Sequence, residues 1–423
     1  LSRVVKLVEE AQTQKSPTQQ TVDKFERVFI PAVLGVTVLL IFLPLPFGVP
    51  FHVSFLRAMT LLVAAYPCAL ALGTPATILT GIGQAARNGI LVKGGAHLEI
   101  LGRIQAIAFD KTGTLTLGIP EVKEAVTFPV AGSPVANSQE LLRLAAAVEL
   151  TSGHPLAQAI VRAAQGNAIS LQELGATESI PGKGLRSTYQ GQALLVGSLK
   201  WLDENGITIP LNAQQNIADW QSRGLTLMAI TWGEEVLGLI GLADTLRPEI
   251  REAVEQMKQA GVTETVLLTG DNQPVAEAIA SQAGIQRVMA NLLPEQKLAA
   301  IRELTSQYQT VAMVGDGVND APALANASVG IAMGGAGTDV ALETADVALM
   351  GDDLSRLPYA VGLGRATRRI ITQNLVIAMG VIIVLATTSV LGLASIGVAI
   401  LFHEGSTLLV VLNALRLLGY RGA

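Results

Sequence analysis

Four apolar runs, set as two pairs around a polar middle, decide most of what this chain can fold into. Residues 29–47 are almost wholly apolar, and no charged residue occurs between Arg27 and Arg57. A second run covers about 56–82, and two more cover about 375–390 and 394–412. At 1.5 Å per residue, about 20 residues cross a hydrocarbon core of about 30 Å, and each run is near that length. Only 15% of the residues are charged, against about 25% in an ordinary soluble domain. The runs therefore read as membrane helices, with the lipid bilayer as solvent.

The connectors orient them. The links near Gly48 and Gly392 are short and uncharged, whereas Lys6, Lys24, Arg27, Arg87, Lys93, Arg365, Arg368, Arg369 and Arg416 flank the other ends. The excess of positive charge places the N-terminus, the large middle and the C-terminus in the cytoplasm. Pro44-Leu45-Pro46-Phe47-Gly48 reads as a turn, and Pro67 and Pro75 interrupt the second run. A proline in lipid frees carbonyls that protein, water or an ion has to satisfy. Residues 1–27 are polar and mixed in charge, with a break expected at Ser16-Pro17-Thr18, and read as a cytoplasmic linker in a piece of a longer chain. The net charge of -5 gives no case for nucleic acid. One cysteine, Cys68, excludes an internal disulfide framework but not a part in a mixed ligand set.

The middle, residues 90–365, has a different texture. The apolar strand 104–109 ends at Asp110, 266–268 ends at Thr269-Gly270-Asp271, and 311–314 ends at Gly315-Asp316-Gly317. Helical patterns at 247–259 and 294–308 lie between them. Strand, carboxylate loop and helix in alternation predict a parallel α/β sheet whose ligands gather at the carboxyl ends of its strands. Residues 121–238 interrupt the alternation as an inserted α+β domain, with a helix near 139–150 and strands near 194–196 and 227–230.

Asp110-Lys111-Thr112-Gly113-Thr114 carries the chemistry. A carboxylate at the end of a strand, ahead of a Gly/Thr turn, is placed to attack a phosphoanhydride while backbone N–H groups hold the transferred oxygens. Thr112 adds a carbonyl or hydroxyl contact, Thr269 a hydroxyl, and Lys297 a compact positive charge. Asp316 and Asp320 add hard oxygen ligands of the kind magnesium takes.

These loops, in this order, resemble those of the P-type ATPases, whose phosphorylation domain has the haloacid-dehalogenase fold. The resemblance covers essentially the whole chain. It implies Asp110 as the phosphorylated aspartate, with Thr112, Thr269, Lys297, Asp316, Asn319 and Asp320 as its catalytic partners. It implies ATP as substrate and Mg²⁺ held by Asp110, Thr112 and Asp316. Ala243-Asp244-Thr245-Leu246-Arg247-Pro248 resembles the segment that re-enters that domain after the nucleotide-binding insertion. Ser152-Gly153-His154-Pro155 resembles the nucleotide signature of the heavy-metal branch, with Gly153 where that branch often has Glu. There His154 would meet adenine, Glu149 would add a polar contact, and Gly182 and Gly184 would let the backbone approach the nucleotide.

Tyr66-Pro67-Cys68 in the second run, and His403-Glu404-Gly405-Ser406-Thr407 with Asn413 and Arg416 in the fourth, resemble the cobalt/zinc-type subgroup. Tyr66 stands where that subgroup has Ser, and the copper-type Cys-Pro-Cys pair is absent. Cys68, His403, Glu404 and Thr407 are the expected ligands of a transported Zn²⁺, Co²⁺ or Cd²⁺ ion, because mixed S/N/O donors suit borderline divalent cations. The implied protein is an inner-membrane exporter. Its segments are the linker 1–27, membrane pair 28–89, phosphorylation domain 90–120 and 239–365, nucleotide-binding domain 121–238, membrane pair 366–418 and tail 419–423. An actuator domain and earlier membrane helices are expected ahead of Leu1, and no Thr-Gly-Glu triplet occurs in the residues given. The competing readings are a membrane-tethered phosphatase of the same fold and a non-catalytic transporter remnant.

Overall fold

In the computed structural model, residues 16–167, 169–172, 174–175, 177–180, 182–317, 320–334 and 344–422 are described. The expected break at Ser16-Pro17 is a helix start. Ser16 is extended and its Oγ accepts from Gln19 N at 3.1 Å, and Pro17 occupies the first turn, where no N–H is needed. Helix α1 (Pro17–Phe42) thus begins well before the apolar run, and a turn closed at Gly48 leads to α2 (Phe51–Ala65). Tyr66 and Pro67 then leave helical geometry, and α3 (Cys68–Arg87) starts at the cysteine. The second apolar run is therefore two helices around a break, because Pro67 has no N–H to continue the first.

The soluble body follows. Strand β1 (Ile90–Val92), helix α4 (Gly95–Leu101) and strand β2 (Ala106–Asp110) lead to β3 (Thr116–Thr127). The insertion then contains α5 (Ser138–Glu149), α6 (Pro155–Gly166), β4 (Glu178–Ile180), β5 (Gly184–Tyr189), β6 (Gln192–Ser198), α7 (Leu199–Glu204), α8 (Leu211–Ser222) and β7 (Thr226–Trp232). Strand β8 (Glu235–Leu246) brings the chain back, antiparallel to β3. These strands form a six-stranded sheet in the order β3-β8-β7-β6-β5-β4, with a hydrophobic core against α5 and α6 and another against α7 and α8. The boundaries expected at 121 and 239 fall inside β3 and β8. The crossing between the two parts is thus a paired ribbon rather than a linker.

The return is α9 (Ile250–Gln259), β9 (Glu264–Leu268), α10 (Gln273–Ala283), β10 (Arg287–Met289), α11 (Pro294–Tyr308), β11 (Val311–Gly315), α12 (Ala321–Asn326), β12 (Val329–Met333) and β13 (Val347–Leu349). Seven strands align as β1-β13-β12-β11-β2-β9-β10, all parallel except β1. All five residues of β2 are buried, as an apolar run covered on both faces requires.

Two further helices, α13 (Arg356–Val390) and α14 (Ile396–Leu415), complete the chain. Among the described residues, four spans are long and apolar enough to cross a membrane: Pro17–Phe47, Phe51–Arg87, Arg356–Val390 and Ile396–Gly419. Helix α13 starts ten residues before the expected 366, because its first turns pack on the soluble body. Ile82 of α3, Leu98 of α4, Phe109 of β2, Leu267 of β9 and Leu363 and Ile370 of α13 share one hydrophobic core. Body and bundle are a multidomain membrane protein with a continuous interior.

Candidate active site

The three strands that the sequence ends in polar loops, β2, β9 and β11, are neighbours in the sheet and end on the same edge. Asp110 is the last residue of β2 and is 6% exposed. Lys297, in the first turns of α11, donates from Nζ to Asp110 Oδ1 at 2.5 Å and to Asp320 Oδ1 at 2.7 Å. Lys111 pairs with Asp271 across the same edge. Thr269 is buried, and its Oγ1 accepts from Asp271 N at 3.1 Å. Asp316 lies opposite Gly113, where an added Cβ would sit 3.2 Å from Asp316 Oδ2. Gly113 also has φ +71, so the turn favours glycine for its conformation. Of the expected catalytic set, Asp110 ends β2, Thr112, Thr269, Asp316 and Asp320 follow the strand ends, and Lys297 reaches in from α11; Asn319 lies outside the described residues.

Burial raises the Asp110 carboxyl to about 7, the Asp320 and Asp316 charges push the same way, and Lys297 opposes them. Burial alone would lower Lys297, but Asp110 and Asp320 outweigh it and leave the ammonium firmly charged. Asp320 Oδ2 is buried without a hydrogen-bond partner. A hard-oxygen donor set with an unsatisfied carboxylate oxygen beside it fits Mg²⁺. Among the described residues no three His, Cys, Asp or Glu side chains form a preformed cage. That too suits an ion held by one or two carboxylates and completed by water and phosphate oxygens.

Two residues that position the site were not singled out from the sequence as functional. Arg247 is buried and donates from Nε to Thr114 O (2.9 Å), from Nη2 to Gly113 O (3.3 Å) and from Nη1 to Asp352 O (2.8 Å). Asp244 accepts from Thr116 Oγ1 (2.5 Å), Gly118 N (3.2 Å) and Ile119 N (3.1 Å). Both sit in the Ala243-to-Pro248 segment, which was the available signal.

In the insertion, Glu149, His154, Gly182 and Gly184 line one cavity of ≈ 300 Å³, together with Lys183 and Ser198. Burial raises the Glu149 carboxyl to about 7, against a hydrogen bond with Ser152. His154 caps α6, its Nδ1 accepting from Leu156 N at 3.3 Å. At Gly184 a Cβ would meet Val196 O at 2.2 Å, so the close approach of β5 to β6 by itself requires glycine.

In the membrane, the expected ligands come from two helices, Cys68 from α3 and His403, Glu404 and Thr407 from α14. Cys68 opens α3 and Glu404 is near enough to act on it electrostatically. His403 is buried whereas Glu404 is exposed. Adjacent residues on a helix point about 100° apart, so sequence adjacency does not make a shared ligand set. Thr407 Oγ1 and Ser406 Oγ both donate to His403 O, at 3.3 and 2.7 Å. Among the described residues Cys68, His403 and Glu404 do not form a three-ligand cluster. Tyr66, at the break, is 53% exposed.

Residues 104–328 match the haloacid dehalogenase-like hydrolase family. The chain is 42% identical over 422 residues to a cadmium-transporting ATPase of Staphylococcus aureus, covering 99% of this chain and 58% of that protein. It is 42% identical over 422 residues to a zinc/cadmium/lead-transporting P-type ATPase of Escherichia coli K12, covering all of this chain and 56% of that protein. A crystal structure of a zinc-transporting PIB-type ATPase in the E2.Pi state superposes with a TM-score of 0.74 at 41% identity, over 98% of this chain and 67% of that one. The chain spans little more than half the length of these curated relatives. By its phosphorylation loops, its membrane helices and these likenesses, the chain belongs to the heavy-metal-transporting P-type ATPases.

Proposed function

We propose that this chain is the catalytic and membrane portion of an ATP-driven exporter of a Zn²⁺, Cd²⁺ or Co²⁺-type cation. The observation that carries the reading is the Asp110–Lys297–Asp320 arrangement at the carboxyl edge of a sheet whose core runs into the membrane helices. Nucleotide enters the cavity around Glu149 and His154, and an Asp110 carboxylate oxygen attacks the γ-phosphorus. The bond from that phosphorus to the leaving ADP oxygen breaks, leaving an acyl-phosphate on Asp110. Lys297 offsets the charge that the transferred oxygens bring, and Thr269 offers them a hydroxyl. Mg²⁺ held by Asp110, Thr112 and Asp316 would neutralise phosphate charge and orient the transfer.

The cargo site in this reading forms at the Tyr66-Pro67 break, with Cys68 and Glu404 as its first ligands and His403 and Thr407 joining in another state of the cycle. Coupling requires that ion and phosphate each favour one of two states. The large domains are cytoplasmic, the membrane is the inner membrane, and hydrolysis of the acyl-phosphate falls to an actuator domain supplied by the rest of the protein. The test is ATPase activity and acid-stable phosphorylation of the full-length protein with Zn²⁺, Cd²⁺, Co²⁺, Cu⁺ and Ca²⁺ in turn. Stimulation by the first three, abolished by Asp110→Asn, is expected; no stimulation by any transition metal would overturn the reading.

A further inference from the structure

At the pole opposite Asp110, a cavity of ≈ 700 Å³ lies between the soluble body and helix α13. Its lining includes Arg103, Gln105, Thr263, Arg365, Arg368 and Arg369, four arginines in all, and no carboxylate. Gln105 directly precedes β2 and Thr263 directly precedes β9, so the cavity opens under the amino ends of the two strands whose other ends carry Asp110 and Thr269. Arg103 is paired with Glu99. Arg365 donates from Nη2 to Ile104 O at 3.3 Å, but its Nε is buried with no partner. Arg368 and Arg369 are exposed and take part in no ion pair among the described residues.

Concentrated guanidinium charge with a buried, unsatisfied N–H calls for an oxyanion, and the planar fork suits phosphate oxygens. The position says which phosphate. Thr372 and Gln373, one turn further along α13, also line the cavity, and Ile370 and Ile371 between them and the arginines are buried. The cavity thus straddles the level at which α13 enters the hydrocarbon, where headgroups lie and basic pockets between membrane helices hold them. We propose that it binds the phosphate of an anionic phospholipid headgroup, which braces the joint between the phosphorylation sheet and α13.

The test is native mass spectrometry of the purified chain in detergent, titrated with phosphatidylglycerol, phosphatidylcholine or inorganic phosphate. One phosphatidylglycerol is expected to be retained in preference to phosphatidylcholine. Arg368→Gln/Arg369→Gln is expected to weaken that retention about tenfold or more, and the lysine pair to restore much of it. The equal charge change Arg186→Gln/Arg251→Gln, at exposed positions outside the lining, is expected to leave it alone. Unaltered nucleotide affinity reports that the variants are folded, and Thr263→Asp, which adds a carboxylate to the lining, supplies a second reading in the same direction. Equal retention by wild type and both kinds of variant would overturn the proposal. So would displacement of the lipid by inorganic phosphate, or by a soluble acidic peptide, at matching concentrations.

Discussion

Lys297 holds two buried carboxylates at once, so the site keeps like charges together for chemistry at a cost in stability. The Asp110 proton is bound more tightly in the folded chain than in the unfolded one. The stability tied to it is complete below pH 3.8 and is lost as pH rises through about 7. Asp110→Asn has no such loss. Without Mg²⁺ or nucleotide it is expected to be about 2 kcal/mol more stable than the parent at pH 8 and little different at pH 4, while accepting no phosphate. Lys297→Met is expected to do the reverse at pH 8, losing about 3 kcal/mol because two buried charges remain unpaired. Chemical unfolding followed by tryptophan fluorescence reads both. Glu149 has the same sign: its contribution to stability is lost as pH rises from 4.5 through about 7. The ionised form is the better acceptor for an adenine amino group. Nucleotide affinity measured calorimetrically should therefore rise several-fold from pH 6 to pH 8, and Glu149→Gln should flatten the profile.

The β3–β8 ribbon connects the insertion, with its cavity around Glu149 and His154, to the loop after Asp110, and Asp244 ties its base by three hydrogen bonds. Asp244→Ala is expected to leave nucleotide affinity within about twofold while slowing phosphorylation about tenfold or more, since the loss is one of alignment. Phosphate incorporation set beside calorimetry separates the two. Why the ribbon escaped the sequence is clear in physical terms. Leu117-Gly118-Ile119-Pro120 and the residues after β7 alternate too weakly to show a strand passing from one domain into the next. By contrast, β2, β9 and β11 were legible because each is a short apolar run stopped by a polar loop, the mark of a strand buried on both faces. The start of α1 was not, because Thr18 to Lys24 carry no apolar stripe and only the Ser16 cap marks it. In the membrane, composition located Cys68, His403 and Glu404, but helical rotation, which adjacency hides, sends His403 and Glu404 different ways.

Across the whole molecule, contacts between residues far apart in sequence set the join of body and bundle. Glu99, buried in α4, accepts from Thr18 N (3.2 Å) and Thr18 Oγ1 (2.7 Å) at the head of α1 and also from Arg103. No local pattern announces a contact across 81 residues. Glu99→Gln is expected to raise amide exchange in the first turn of α1 severalfold without altering that of β2, as hydrogen-exchange mass spectrometry can check. Inside the bundle, Asn374 Nδ2 donates to Thr77 Oγ1 (3.2 Å) and Val410 O (3.3 Å), and its Oδ1 accepts from Asn413 Nδ2 (2.8 Å), so α3, α13 and α14 are fastened at one level. Helix α13 runs without a break for 35 residues, about 52 Å at 1.5 Å per residue, whereas the hydrocarbon it crosses is about 30 Å thick. Some 20 Å of stiff rod therefore lies beyond the hydrocarbon, packed into the core of the sheet that carries Asp110. A 5° tilt of the outer part about the bilayer surface would carry the tip across the hydrocarbon by about 2–3 Å. In the proposed transport cycle, a displacement of that size would be enough to make or break the coordination of an ion held by single atoms.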